Sequence, residues 1–126
     1  MLKQIKKPKI LVADDEEELV KVLRDRLQFE GFDTLAAFEG VRTIEMAHKY
    51  HPDLILLDLR MPAGTGQSVL KNLRARPETE NIPIIIITAL EGNNLEEDLL
   101  RSGANDFIRK PYDWNVLLEK IRKFLS

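Results

Sequence analysis

DLILLD, residues 53–58, is the stretch that decides the fold. Four aliphatic residues, Leu54 to Leu57, stand between two aspartates. A short run that is apolar at every position reads as a strand covered on both faces, as in a parallel sheet. Asp58 then falls where the strand ends. Desolvation penalises a carboxylate there unless something compensates its charge.

Working outward, comparable runs recur: KILVA (9–13), DTLAA (33–37), IPIIIIT (82–88) and DFIRK (106–110). Amphipathic segments lie between them. Leu19, Leu23 and Leu27 recur every four residues, and Gly31 offers a helix C-cap. Val41, Ile44 and Ala47 mark a second helix, stopped by His51-Pro52. Val69, Leu70 and Leu73 mark a third, ending near Pro77. Leu95, Leu99 and Leu100 mark a fourth, with Asn93 and Glu96 as a capping-box-like start and Gly103 as its stop. Trp114, Leu117, Leu118, Ile121 and Leu125 form a fifth stripe, opened by Asp113 as N-cap.

Five successive strand–helix units predict an α/β fold, one doubly wound parallel sheet with helices on both faces. The expected strand order is 2-1-3-4-5. Ligands in such sheets bind outside the carboxyl ends of the strands, which directs attention to the residues that end each run.

Those residues form a constellation. The first run ends in Asp14 and Asp15, the third in Asp58, the fourth in Thr88 followed by the small Ala89, and the fifth in Lys110-Pro111. A divalent cation and the lysine together neutralise three carboxylates. Oxygen ligands completed by water suit Mg²⁺. Such a site can accept a phosphoryl group on a carboxylate nucleophile, with the metal, Lys110 and the Thr88 hydroxyl serving its oxygens.

Each residue also has a plainer reading. Asp15 with Glu18 could form a capping box, and Glu16 to Glu18 read as first-turn acids matched to the helix dipole. Thr88 alone would be an ordinary strand residue, and Lys110 alone a solvated cation. His48 and His51 read as surface positions, Met46 and Met61 as packing residues. The coincidence at four strand ends carries the argument.

The pieces ILVADDE, PDLILLDLRMPAGTG, IPIIIITA and GANDFIRKP resemble the receiver domain of bacterial response regulators, over about residues 8–125. The resemblance implies Asp14, Asp15, Asp58 and the Arg60 carbonyl as Mg²⁺ ligands and Asp58 as phosphoacceptor. It implies Thr88 as switch hydroxyl, Phe107 as switch aromatic, Lys110 as the site lysine and Gly66 as the glycine after the Met-Pro turn. It further implies a cis Lys110-Pro111 bond, and a histidine kinase or histidine phosphotransfer protein as donor. Output would pass to a protein partner through the fourth helix, fifth strand and fifth helix. Two departures stand out: Phe107 lacks the hydroxyl of the usual tyrosine, and Leu90 is apolar where many relatives are polar. Leu90 bears on how fast the phosphate is lost.

The bulk properties agree. A chain of 126 residues suits one domain, residues 1–126, with no attached output domain expected. It carries 44% hydrophobic and 32% charged residues, no cysteine and a formal net charge of −2. Nothing global attracts nucleic acid or a membrane, and the basic leader Lys3, Lys6, Lys7 and Lys9 reads as solvated. The chain is expected in the cytoplasm, as a monomer or weak dimer. Beyond its own phosphorylation and slow dephosphorylation it is not expected to be an enzyme. A haloacid-dehalogenase-type phosphatase needs a carboxylate where Arg60 stands. A flavin mononucleotide carrier would not present Asp14, Asp15 and Glu16 to a phosphate.

Overall fold

The computed structural model describes residues 6–125; Lys3 lies outside them. Five strands alternate with five helices: β1 (Lys9–Ala13), α1 (Glu17–Phe29), β2 (Asp33–Ala37), α2 (Gly40–Tyr50), β3 (Leu54–Leu57), α3 (Gly66–Arg74), β4 (Ile84–Thr88), α4 (Leu95–Arg101), β5 (Asp106–Arg109) and α5 (Trp114–Leu125). All neighbouring strands are parallel, in the expected order β2-β1-β3-β4-β5.

Strand side chains alternate between two cores. Leu11, Ile55, Leu57, Ile84 and Ile86 face α2, α3 and α4, meeting Met46, Ala47, Leu70, Leu73 and Leu99. Ile10, Val12, Leu54, Leu56 and Ile85 face α1 and α5, meeting Val20, Leu23, Leu27, Leu117 and Ile121. A central position such as Leu56 is wholly enclosed. Truncating it to alanine is worth about 2–5 kcal/mol.

The helix stripes need adjustment. In α1 the buried residues are Val20, Leu23 and Leu27, while Leu19 is 48% exposed. Residues three and seven positions beyond Val20 stay nearer one face than a strict repeat of four. Val41 and Leu100 are likewise exposed, and Thr43, Met46 and Leu99 take the buried places. Neither sequence-predicted capping box forms. The α1 N-cap is Glu16 and the α4 N-cap is Asn94, in a left-handed conformation with φ 63°; neither makes a side-chain capping bond. Asp113 does cap α5, its Oδ1 accepting from the Asn115 and Val116 amides. His51 is exposed and ends α2, whereas His48 is half-buried with Nδ1 3.7 Å from Glu78 Oε1.

Two contacts brace the molecule. The first residues of α2 dock on the loop after β3. There the Gly40 N–H donates to the Pro62 carbonyl (3.0 Å) and the Val41 N–H to the Ala63 carbonyl (2.8 Å). A Cβ on Gly40 would lie 2.1 Å from the Gly64 carbonyl oxygen, so only glycine fits. Near the opposite end of the strands, Arg74 donates from Nε to the Gly103 carbonyl (2.8 Å), from Nη1 to the Glu80 carbonyl (2.9 Å) and from Nη2 to Asn105 Oδ1 (2.8 Å).

Candidate functional site

Register sets the site. Ala13 and Leu57, the last residues of β1 and β3, are paired, so Asp14 and Asp58 follow side by side. Their backbones are held as the strands end: the Asp14 N–H donates to the Ala37 carbonyl (3.1 Å) and the Asp58 N–H to the Ala13 carbonyl (2.9 Å). Thr88 pairs with Arg109, and the Lys110 N–H donates to the Thr88 carbonyl at 2.9 Å. The Lys110-Pro111 bond is cis, as the resemblance implied.

Lys110 spans the gap between the two carboxylates. Its Nζ donates to Asp14 Oδ2 at 2.7 Å and to Asp58 Oδ2 at 2.8 Å, and more distantly to Glu16 Oε1 at 3.4 Å. Each aspartate turns its other oxygen to a backbone amide two residues on. Asp14 Oδ1 accepts from the Glu16 N–H (3.0 Å), and Asp58 Oδ1 from the Arg60 N–H (3.1 Å). Both carboxylates are thus oriented at both oxygens, which is what a buried charge requires. Asp58 is only 5% exposed. The loop beyond it can lie this close because residue 66 is glycine: a Cβ there would sit 2.5 Å from the Asp58 carbonyl oxygen.

Electrostatics follow from burial. Burial pushes the Asp14 carboxyl up to about 6, and the nearby Asp58 adds to this. Its hydrogen bonds from Lys110 and from the Glu16 amide hold it back. For Lys110, burial alone pulls the ammonium down, but the hydrogen bonds to Asp14 and Asp58 outweigh it. The net effect holds the group above its ordinary value.

The sequence-derived residues divide. Asp14, Asp58 and Lys110 meet directly. Thr88 is fully buried at the neighbouring strand end, its Oγ accepting from the Leu90 N–H at 3.2 Å. Phe107 is buried in the core beneath α4, with the Arg109 guanidinium 5.4 Å from its ring centroid. Arg60 contributes its amide to Asp58. Asp15 is exposed and stands apart; the third carboxylate of the cluster is Glu16. Oxygens of Asp14, Glu16 and Asp58 all lie within 4.8 Å of one another. This all-oxygen set fits a hard divalent cation such as Mg²⁺. Glu16 was read as a first-turn acid; its clue in the sequence is the two-residue spacing that lets Asp14 bond its amide.

A groove of about 580 Å³ opens beside Asp58 and Lys110, walled by Leu19, Val22, Leu23, Tyr112 and Trp114. Leu19, misplaced as a core residue, is part of this wall. Burial raises the Tyr112 phenol above its usual value.

Comparison with known proteins gives the family and the fold. Residues 10–122 match the family model of the response regulator receiver domain. The chain is 40% identical over 114 residues to response regulator PleD of Caulobacter vibrioides, matching 90% of this chain but only 25% of PleD. It is 31% identical to the polar-differentiation response regulator DivK of Brucella ovis, covering 93% of this chain and 95% of DivK. Among solved structures, the receiver domain of the Francisella response regulator 1452 superposes with a TM-score of 0.87 at 31% identity, over 94% of this chain and 96% of that one. A putative response regulator from Chloroflexus aurantiacus gives 0.89 at 26% identity, over 95% and 98%. The chain therefore belongs to the response regulator receiver domain family.

Proposed function

We propose that this receiver domain accepts a phosphoryl group on Asp58 from the phosphohistidine of a histidine kinase or histidine phosphotransfer protein. The observation that carries the reading is the Lys110 ammonium held between Asp14 and Asp58 at 2.7 and 2.8 Å. That cation stands where three anionic phosphoryl oxygens would have to be received.

In the transfer, an Asp58 oxygen attacks phosphorus, the phosphorus–nitrogen bond to the donor imidazole breaks, and the imidazole leaves. Lys110 exchanges its Asp58 contact for a phosphoryl oxygen, and the Thr88 hydroxyl donates to another. Asp14, Asp15, Asp58 and the Arg60 carbonyl, with the Glu16 carboxylate close by, would hold Mg²⁺, which would supply further charge neutralisation. The apolar groove beside Asp58 supports the approach of a helical donor.

Phosphorylation then shifts a pre-existing equilibrium at Thr88 and Phe107, altering the face of α4, β5 and α5 offered to a downstream protein. Leu90 cannot orient an attacking water, so the aspartyl phosphate is expected to be long-lived. No helix among the described residues is long and apolar enough to cross a membrane. A cytoplasmic, monomeric or weakly dimeric module that acts on no substrate of its own completes the proposal.

A small acyl phosphate with Mg²⁺ should add one phosphoryl group by intact mass, absent in Asp58→Asn. Equal labelling of that variant would overturn the assignment.

A further inference from the structure

Leu90 is gripped at both ends of its backbone. Its N–H donates to Thr88 Oγ at 3.2 Å, and its carbonyl accepts from the Arg109 guanidinium. Its side chain packs against the core beneath α4. Arg109 pairs with Thr88 across the β4–β5 ladder and lies 5.4 Å from the Phe107 ring centroid. Phe107 and Arg109 are two residues apart on one strand and so share a face. A single connected path therefore runs from the buried hydroxyl at the end of β4 to an exposed cation on β5. Arginine suits this place because the planar guanidinium donates in its plane while its face rests on a ring.

We infer that Arg109 is a positioning residue for the Thr88 hydroxyl, acting through Leu90, and that it ties any turn of Thr88 to the cover over Phe107. The inference rests on the reading of Asp58 as phosphoryl acceptor. While Arg109 holds the Leu90 carbonyl, the Leu90 N–H stays aimed at Thr88 Oγ and fixes where that oxygen sits. When the hydroxyl turns toward a phosphoryl oxygen, the Leu90 N–H loses its acceptor. A partly buried N–H does not remain unpaired, so the backbone there must reorient. Leu90 does not move one end alone, because its partly buried side chain packs against the core. Its carbonyl swings with it and draws the guanidinium off the ring. Phe107 and the loop leading to α4 are then released together.

The test uses the full chain, as wild type, Arg109→Ala and Arg109→Lys. Labelling by a small acyl phosphate is timed by intact mass. Backbone amide shifts are then recorded with Mg²⁺ and beryllofluoride as the phosphoryl mimic. Asp58 should be labelled in all three proteins, and the Leu59 and Arg60 amides should respond alike. In Arg109→Ala labelling should slow about two- to tenfold, the loss expected for one misplaced hydrogen bond. The response of Leu95 and its first-turn neighbours and of Phe107 should fall to roughly half or less. Arg109→Lys should recover part of the rate, because a cation and one donor remain. An unaltered rate together with an undiminished response in Arg109→Ala would overturn the inference while leaving the Asp58 assignment standing. A wild-type chain that takes no label would overturn both.

Discussion

Gly40→Ala tests how the acceptor loop is held. The new Cβ would lie 2.1 Å from the Gly64 carbonyl oxygen, 2.6 Å from its carbon and 2.7 Å from its Cα. All three are backbone atoms, so no side chain can swing aside. An ordinary carbon–oxygen contact near 3.3 Å requires the loop or helix to retreat by about 1 Å. That retreat stretches the bonds from Gly40 and Val41 to the Pro62 and Ala63 carbonyls. Overpacking costs about 1–3 kcal/mol, and weakening two hydrogen bonds adds about 1 kcal/mol. Alanine returns at most about 1 kcal/mol through helix propensity. The net loss is about 1–3 kcal/mol, a fall of about 0.5–1.5 M in the urea midpoint. Gly92→Ala is the control, since its Cβ would meet nothing nearer than Leu95 Cβ at 3.8 Å. The displaced loop carries Arg60, so labelling of Asp58 should slow as well. A Gly40→Ala midpoint equal to that of Gly92→Ala would refute the steric argument.

Other expectations follow from the same geometry. Lys110→Met leaves Asp14 and Asp58 adjacent without their shared cation, so the metal-free protein should lose about 3 kcal/mol, with part regained on adding Mg²⁺; urea unfolding with and without the metal checks both. Asp15→Ala should weaken Mg²⁺ binding although Asp15 stands apart from the carboxylate cluster; an unaffected Trp114 fluorescence titration would remove Asp15 from the ligand set. Because burial raises the Asp14 carboxyl to about 6 from 3.8, the folded state holds that proton more tightly than the unfolded chain does. Its contribution to stability is therefore full below about pH 4 and lost as pH rises through about 6. Urea midpoints of metal-free Asp14→Asn should exceed those of the wild type at pH 7, and the gap should close by about pH 4.

The sheet was legible because its strands are short, uniformly aliphatic and end in chemistry. Leu54 to Leu57 read as a strand covered on both faces, as in a parallel sheet, and Asp58 marks the end that matters. Helix faces were less legible. Leu19 is as apolar as Val20, and only packing against β1 and α5 decides which turns inward. Asp14, Asp58, Thr88 and Lys110 could be found because each follows or ends an apolar run. Glu16 could not, because its carboxylate reaches the cluster from an exposed helix start that any first-turn acid would share. The Gly40–Gly64 contact and the Arg109 bond to the Leu90 carbonyl join residues far apart in sequence. No local pattern encodes them.

Arg74 has a consequence for how the fourth helix can travel. Its guanidinium clamps the Gly103 carbonyl and Asn105 to the end of α3, and Asn105 Oδ1 also accepts from the Ile84 N–H at 2.8 Å. The trailing end of α4 is thereby bolted to two other elements. Its leading end starts at Asn94, a cap with no side-chain bond. A rod fixed at one end moves as a lever. Any displacement of α4 must be a swing about Gly103, widest at Leu95 and nearly nil at Arg101. A partner that reads this motion gains most by gripping the first turn of the helix, one that braces against Arg101 gains a fixed reference, and a partner touching both ends would measure the angle between them.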